Sequence, residues 1–209
     1  MHKKIAATLA VIAALGTGAV HAAVFEFDLS VPVTEGAPIV AVAHLKVEDI
    51  GTDTQFTLTK NAIPVFGTES FLTQLNLTYS GGQVPLTFSN VSGQAFESFD
   101  ETSGSGTDAG YSPFTHEIRW ETANNSDRLT DGEISVFLAE DTQATDWVTD
   151  LAFKQGVVAG TPAMVHIQNV AEFGSVKYVV PEPETYAMLL AGLGLVGFIM
   201  RRRVQSLVA

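Results

Sequence analysis

Apolar and polar residues alternate strictly along several stretches of the chain. Near the start, Phe25, Phe27, Leu29 and Val31 are separated by polar or charged residues. The same alternation recurs at later positions: Ala41, Ala43, Leu45 and Val47; Phe56 and Leu58; Leu75, Leu77 and Tyr79; Phe114, His116, Ile118 and Trp120; Ile134, Val136 and Leu138; Val165 and Ile167. A period of two residues is typical of β-strands that bury one face.

The segments between these stretches carry turn residues such as Gly, Asn and Asp. We expect the longest loop at residues 98–113, which are rich in Ser, Gly and Thr. Neither a helical period nor an internal repeat occurs between the two ends of the chain. Many short strands separated by turns predict an all-β domain over residues 23–180: an antiparallel β-sandwich of the jelly-roll or immunoglobulin-like type.

Residues 1–22 have the order of a secretory signal peptide. Two lysines precede an uncharged apolar run at residues 5–20, and the segment ends in residues that suit a signal peptidase. We predict cleavage after Ala22, with cleavage after Ala23 as the alternative. An uncleaved membrane anchor is the competing interpretation, but the apolar run is short for a membrane span.

Residues 181–209 consist of a rigid extended element, an uncharged apolar run and a basic end. In order, the three parts are Pro181-Glu182-Pro183, residues 186–200 and Arg201-Arg202-Arg203. Proline fixes φ and biases the preceding residue away from the helix, so the first part is extended. The apolar run predicts one C-terminal transmembrane helix over residues 185–200.

The basic end sets the topology that we predict for this helix. Arginines flanking a span stay cytoplasmic, so the central domain lies on the outside. At about 1.5 Å per residue, the apolar run extends about 22 Å, short of the roughly 30 Å hydrocarbon core. Such a span suits a transient stop in the inner membrane that is later removed. A permanent single-pass tail anchor is the alternative.

Together, the three parts resemble the PEP-CTERM sorting signal of exported bacterial proteins. The resemblance covers residues 180–209, and the family's motif falls on Pro181, Glu182 and Pro183. It implies a bacterium, most often Gram-negative, that makes extracellular polysaccharide. It also implies that an integral-membrane cysteine peptidase, the exosortase, cuts the tail and passes the protein to the cell surface. One departure is residues 204–209, which follow the arginines where the family's tail usually stops.

Composition narrows the classes of partner. The chain has a formal net charge of −12 and no cysteine. An acidic domain repels nucleic acid and anionic membrane surfaces, so we expect no nucleic-acid partner. Without cysteine there is no disulfide, thiolate metal site or thiol nucleophile.

Motifs for catalysis are missing from the sequence. The chain contains no nucleophile elbow, zinc-protease motif, phosphate-binding loop or dinucleotide fingerprint. His44, His116 and His166 lie far apart along the chain, so we expect solvated or core histidines rather than zinc ligands. We therefore expect a protein that is not an enzyme.

Carboxylates cluster in the predicted loops and offer candidate calcium ligands. The candidates are Asp100, Glu101, Asp108, Asp127 and Asp131. Ca²⁺ takes several oxygen ligands, and turns can add carbonyl oxygens, but neither cluster follows the twelve-residue calcium loop. Solvated acidic loops are the alternative interpretation, and Ca²⁺ is the one cofactor that the sequence leaves open.

Three functional hypotheses follow. The first is a non-enzymatic envelope or surface protein that is sorted through its tail and associated with extracellular polysaccharide or a biofilm matrix. The second is a carbohydrate-binding or calcium-dependent adhesion module. The third is a secreted hydrolase that uses a carboxylate pair. All three share signal peptidase and exosortase as processing partners and the inner membrane as a transient location.

Overall fold

The computed structural model describes residues 22–82, 85–108, 111–123, 128–148 and 163–180. These residues form strands with little helix. The strands are β1 (Val24–Leu29), β2 (Val31–Pro32), β3 (Ala43–Ile50), β4 (Asp53–Lys60), β5 (Phe71–Leu77), β6 (Phe88–Gly93), β7 (Ser98–Asp108), β8 (Tyr111–Arg119), β9 (Ile134–Ala139), β10 (Ala163–Val170) and β11 (Gly174–Val179). A 3₁₀ turn lies at Pro64–Phe66, and a single helical turn, α1, at Ala144–Val148.

The strands form two antiparallel sheets. The five-stranded sheet has the order β1-β3-β4-β9-β6, and the six-stranded sheet has the order β2-β11-β10-β5-β8-β7. Buried apolar side chains from both sheets belong to one core, to which Leu45, Phe56 and Phe137 contribute from the first sheet and Leu75 and Val165 from the second. The all-β, antiparallel prediction is confirmed, and the arrangement is that of a sandwich.

Alternation along the sequence corresponds to burial in the strands. Along β3, Ala43, Leu45 and Val47 are buried, and the residues between them are partly exposed. The first predicted strand, however, divides at Ser30. Residues before it belong to β1 in one sheet, whereas Val31 pairs with Val179 in the other. The Ser30 N–H donates to the Val179 carbonyl oxygen (3.2 Å), so this residue carries the chain between the sheets.

Strand β9 buries the face opposite to the alternating set that the sequence suggested. Ile134 is 44% exposed, while Ser135, Phe137 and Ala139 face the core. Both faces of this strand carry apolar residues, so the pattern alone could not choose between them. Ser135 is tolerated inside because its Oγ accepts a hydrogen bond from Trp120 Nε1 (3.2 Å).

The predicted long loop at residues 98–113 is wrong. Ser98–Asp108 is β7, which pairs antiparallel with β8 from Ser98 opposite Arg119 to Asp108 opposite Tyr111. Strand β7 lies at the edge of its sheet, where polar and charged residues are common. Its register shifts between Glu101 and Gly106, an irregularity common in edge strands.

The helix α1 is too short to produce a helical period in the sequence. It carries Trp147 into the core, where the indole lies 5.1 Å edge-on from the ring of Phe56 and 4.7 Å from that of Tyr79. Within the described ranges, no helix is long and apolar enough to cross a membrane. The helix predicted at residues 185–200 lies outside those ranges, as do residues 1–21 of the predicted signal peptide.

Candidate functional site

The predicted sorting tail, residues 181–209, follows directly on an internal strand of the six-stranded sheet. Strand β11 lies between β2 and β10, and the N–H of the next residue, Val180, donates to the Ala163 carbonyl oxygen (3.4 Å). Val180 is buried. The predicted motif and membrane-stop residues, Pro181, Glu182, Pro183, Arg201, Arg202 and Arg203, lie outside the described residues. The fold therefore holds the chain up to the residue before the predicted motif.

The candidate calcium ligands are engaged by different protein groups. Asp100 Oδ2 lies 3.7 Å from Arg119 Nη1, and Glu101 Oε1 accepts the Leu86 N–H at 2.8 Å. Consecutive residues on a strand face opposite sides of the sheet, so Asp100 and Glu101 diverge. Among the residues that the structure describes, no three His, Cys, Asp or Glu side chains form a group that could hold a metal ion. Asp127 and the Asp108 side chain lie outside those residues.

Asp131, the fifth calcium candidate, contacts a fully buried lysine. Lys60, at the end of β4, is 0% exposed, and its Nζ contacts Asp131 Oδ1 and donates to Ser70 Oγ at 3.1 Å. A buried ammonium needs an opposite charge and hydrogen-bond acceptors, and these two residues supply them. The sequence did not single out Lys60, because its partners lie 10 and 71 positions away.

The three histidines are in different environments. His44 Nδ1 lies 2.9 Å from Asp28 Oδ1 near the surface, and His166 is half-buried on β10. His116 is 3% exposed, with its ring stacked on that of Phe99 at 6.0 Å. Burial lowers the pKa of His116 to about 4, although the Glu101 carboxylate acts in the opposite direction. His116 is therefore a neutral core histidine, which is one of the two states expected from the sequence.

An open polar groove lies where the β10–β11 turn approaches the start of β5. Its volume is about 650 Å³. Residues of three segments line it: Phe71, Thr122, Arg128, Gln168, Asn169, Gly174 and Ser175. Arg128 and Phe71 also line a neighbouring cavity of about 300 Å³ that reaches Glu69 and Thr130.

Arg128 is the main charged group in this groove. Its guanidinium carbon lies 4.0 Å from the centroid of the Phe71 ring, a cation–π arrangement. The Arg128 Nε donates to the Thr122 carbonyl oxygen at 3.0 Å, and a second guanidinium nitrogen contacts the same oxygen. Stacking and these contacts hold the guanidinium in one orientation at the groove wall. Asn169, at φ +57°, is fixed by a hydrogen bond from its Nδ2 to the Glu69 carbonyl oxygen (3.1 Å).

This groove can bind a polar ligand through planar donors and acceptors. Arginine forms bidentate hydrogen bonds with carboxylates, and the amides of Gln168 and Asn169 can pair with hydroxyl groups. Phe71 offers little free apolar area because Arg128 covers its ring. The sequence did not single out these residues, since they come from segments that adjoin only in the folded sheet.

Comparison with known proteins gives a match at the C-terminus. A family model for the PEP-CTERM protein-sorting motif matches residues 179–203. No curated protein and no solved structure matches the chain. The matched range includes Pro181, Glu182, Pro183 and the three arginines. It follows that the chain carries a PEP-CTERM protein-sorting motif at its C-terminal end.

Proposed function

We propose that this chain is an exported cell-envelope or surface protein, delivered through its tail and retained in or released into extracellular polysaccharide or a biofilm matrix. The observation that carries the proposal is the motif match at residues 179–203. The motif implies an exported protein that a membrane peptidase, the exosortase, sorts. In this proposal the protein comes from a Gram-negative bacterium, signal peptidase removes residues 1–22, and the tail stops briefly in the inner membrane.

The central domain, residues 23–180, acts in this proposal as a non-enzymatic sandwich of the jelly-roll or immunoglobulin-like type. The net charge of −12 supports this role, because a net charge far from zero keeps an extracellular protein soluble. The neutral, core-packed state of His116 also supports it, since a general base needs access to its substrate.

The sorting proposal is tested in the host by cell fractionation. Replacing Pro181, Glu182 and Pro183 together by alanine should retain the protein in the inner membrane at its uncut size, as should deletion of the exosortase. Gln205→Ala is the matched control, because this residue follows the matched range and should leave sorting unchanged. Unchanged location and size in both the motif variant and the deletion strain would contradict the proposal.

A carbohydrate-binding role is the second candidate, and the groove at Arg128 favours it. Polysaccharides present hydroxyl groups and, in acidic sugars, carboxylates, which suit the fixed guanidinium and the nearby amides. The test is retention of the protein on purified host polysaccharide, with and without chelator. Arg128→Gln should reduce retention several-fold, whereas Lys46→Gln should not, because Lys46 lies on the other sheet, paired with Glu48 (2.7 Å). Equal retention of both variants would remove the groove from consideration.

A further inference from the structure

Ala23 lies directly before β1, and Asp49 binds both of its backbone polar groups. The Ala23 N–H donates to Asp49 Oδ2 at 2.8 Å, and the Asp49 N–H donates to the Ala23 carbonyl oxygen at 3.0 Å. Ala23 is half-buried, while Ala22 before it is exposed. The Ala22–Ala23 bond therefore joins an exposed residue to one that is held by backbone hydrogen bonds.

Asp49 is itself held by a third group. Its second carboxylate oxygen, Oδ1, accepts the Ala144 N–H at 2.6 Å. Each oxygen of the carboxylate thus has a separate backbone donor, one in the segment before β1 and one at α1. This arrangement fixes the side chain with Oδ2 directed at the nitrogen of Ala23.

From this geometry we infer that Asp49 is a receptor for the α-ammonium group that signal peptidase creates on Ala23. Hydrolysis adds water across the Ala22–Ala23 peptide bond: the Ala22 carbonyl carbon gains a hydroxyl, and the Ala23 nitrogen leaves as an amine. An α-amine has a pKa of about 8, so it takes up a proton at neutral pH. In the precursor only the carboxylate of this N–H···O bond is charged. After cleavage the bond becomes an ammonium–carboxylate pair, which is stronger because both partners are charged.

The inference rests on the proposed export and goes beyond it in two ways. It requires the first of the two cleavage sites that the sequence allows, because a cut after Ala23 would remove the nitrogen that Asp49 binds. It also makes processing stabilise the fold: the mature domain gains a charge pair that the precursor lacks. A chain without disulfides gains in this way a stabilising interaction that forms only after export.

The test is a double-mutant cycle on the exported protein purified from its host. One axis is Asp49→Asn. The other is insertion of Gly-Ser after Ala22, which keeps the cleavage site but returns the Ala23 nitrogen to a peptide bond. We expect Asp49→Asn to lower the folding equilibrium constant about fivefold more in the normal mature chain than in the extended chain. The extension alone should lower the constant when Asp49 is present and leave it unchanged in the Asp49→Asn background.

Asp53→Asn is the matched control. Asp53 Oδ1 also accepts a backbone N–H, from Asp141 at 3.0 Å, but no terminal nitrogen. Asp53→Asn should lower the folding equilibrium constant by the same factor in the normal and the extended chain. If Asp49→Asn also lowers it by the same factor in both, the inference is overturned. If Asp49→Asn prevents folding, the comparison of extended with normal chain still decides, since equal stability of those two would also overturn it.

N-terminal sequencing separates the failure of this inference from that of export. A mature chain that starts at Ala23 supports both. One that starts at Val24 overturns the role of Asp49 and leaves export intact. One that retains Met1 shows that signal peptidase does not cut the chain, which overturns the role of Asp49 and fits the uncleaved membrane anchor, so cell fractionation then decides export.

Discussion

The buried histidine makes stability depend on pH in a direction that the structure determines. His116 lies among the rings of Phe99, Tyr79 and Trp147, at centroid distances of 6.0, 5.7 and 5.3 Å. Its Nδ1 lies 2.7 Å from Thr115 Oγ1, and within the described part of the chain its Nε2 has no hydrogen-bond partner. Protonation would place a charge in this apolar cluster, which is why the pKa falls to about 4.

The size of the effect follows from the two pKa values. In the unfolded chain the pKa of His116 has its ordinary value of 6.5, and in the folded protein it is about 4. Below pH 6.5 the unfolded state binds a proton that the folded state does not, so stability is lost as the pH falls. At about 1.36 kcal/mol per unit, the loss is roughly 2 kcal/mol by pH 5 and roughly 3 kcal/mol by pH 4.

His116→Phe isolates this contribution, because it keeps an aromatic ring and removes the titrating group. Urea unfolding at several pH values between about 7 and 5 should show the variant losing roughly 2 kcal/mol less than the wild type. Phe66→Leu, a core substitution elsewhere, is the control: it should cost about 1 kcal/mol at every pH and keep the wild-type slope. A parallel loss of stability in His116→Phe and wild type would show that His116 does not stay neutral in the fold.

Three further predictions concern stability. Asp131→Asn leaves the fully buried Lys60 ammonium without its charge partner and should lower the free energy of unfolding by about 3 kcal/mol. Lys60→Met should lower it less, because the carboxylate that it leaves is on a side chain that is 25% exposed. The reverse order in urea unfolding would contradict this role of the pair. Gly93→Ala would place a Cβ against the Ile134 carbonyl oxygen at a residue with φ +72°. It should lower the free energy of unfolding by well over the roughly 1 kcal/mol expected for Gly51→Ala, whose Cβ would point into open space. Equal urea midpoints for the two variants would argue against the register of β6 on β9. Adding a chelator should leave the thermal midpoint unchanged, because Asp100, Glu101 and Asp131 already bind protein groups; a fall of several degrees would indicate a bound ion.

The sequence predicted the strands that bury one continuous apolar face. In β3 and β4 the alternating residues up to Leu58 are the buried ones, because each strand has neighbours on both sides and a core on one face. The edge strand β7 escaped prediction since its backbone pairs with β8 without an alternating apolar set. The buried face of β9 was not predicted, because Ser135 is acceptable in the core only when its Oγ accepts the hydrogen bond from Trp120 Nε1.

Features that depend on residues far apart in the chain could not be predicted from the sequence either. Lys60 is buried because Asp131 and Ser70 meet it in the fold, and the groove at Arg128 forms from segments far apart in the chain. The sorting motif is different in kind. A local order of residues defines it, so the sequence alone could identify it, and the family model matches the same region.

The intact mass of the protein recovered from the cell surface or medium of its host shows whether the C-terminal tail is removed during sorting. We expect a chain that begins at Ala23 and ends near Pro183, so that the apolar run and Arg201, Arg202 and Arg203 are absent. The same measurement in a strain without exosortase should return a membrane-bound chain that still carries the arginines. A surface or extracellular form that retains them, with the same mass in both strains, would contradict the claim that this tail is a processed sorting signal.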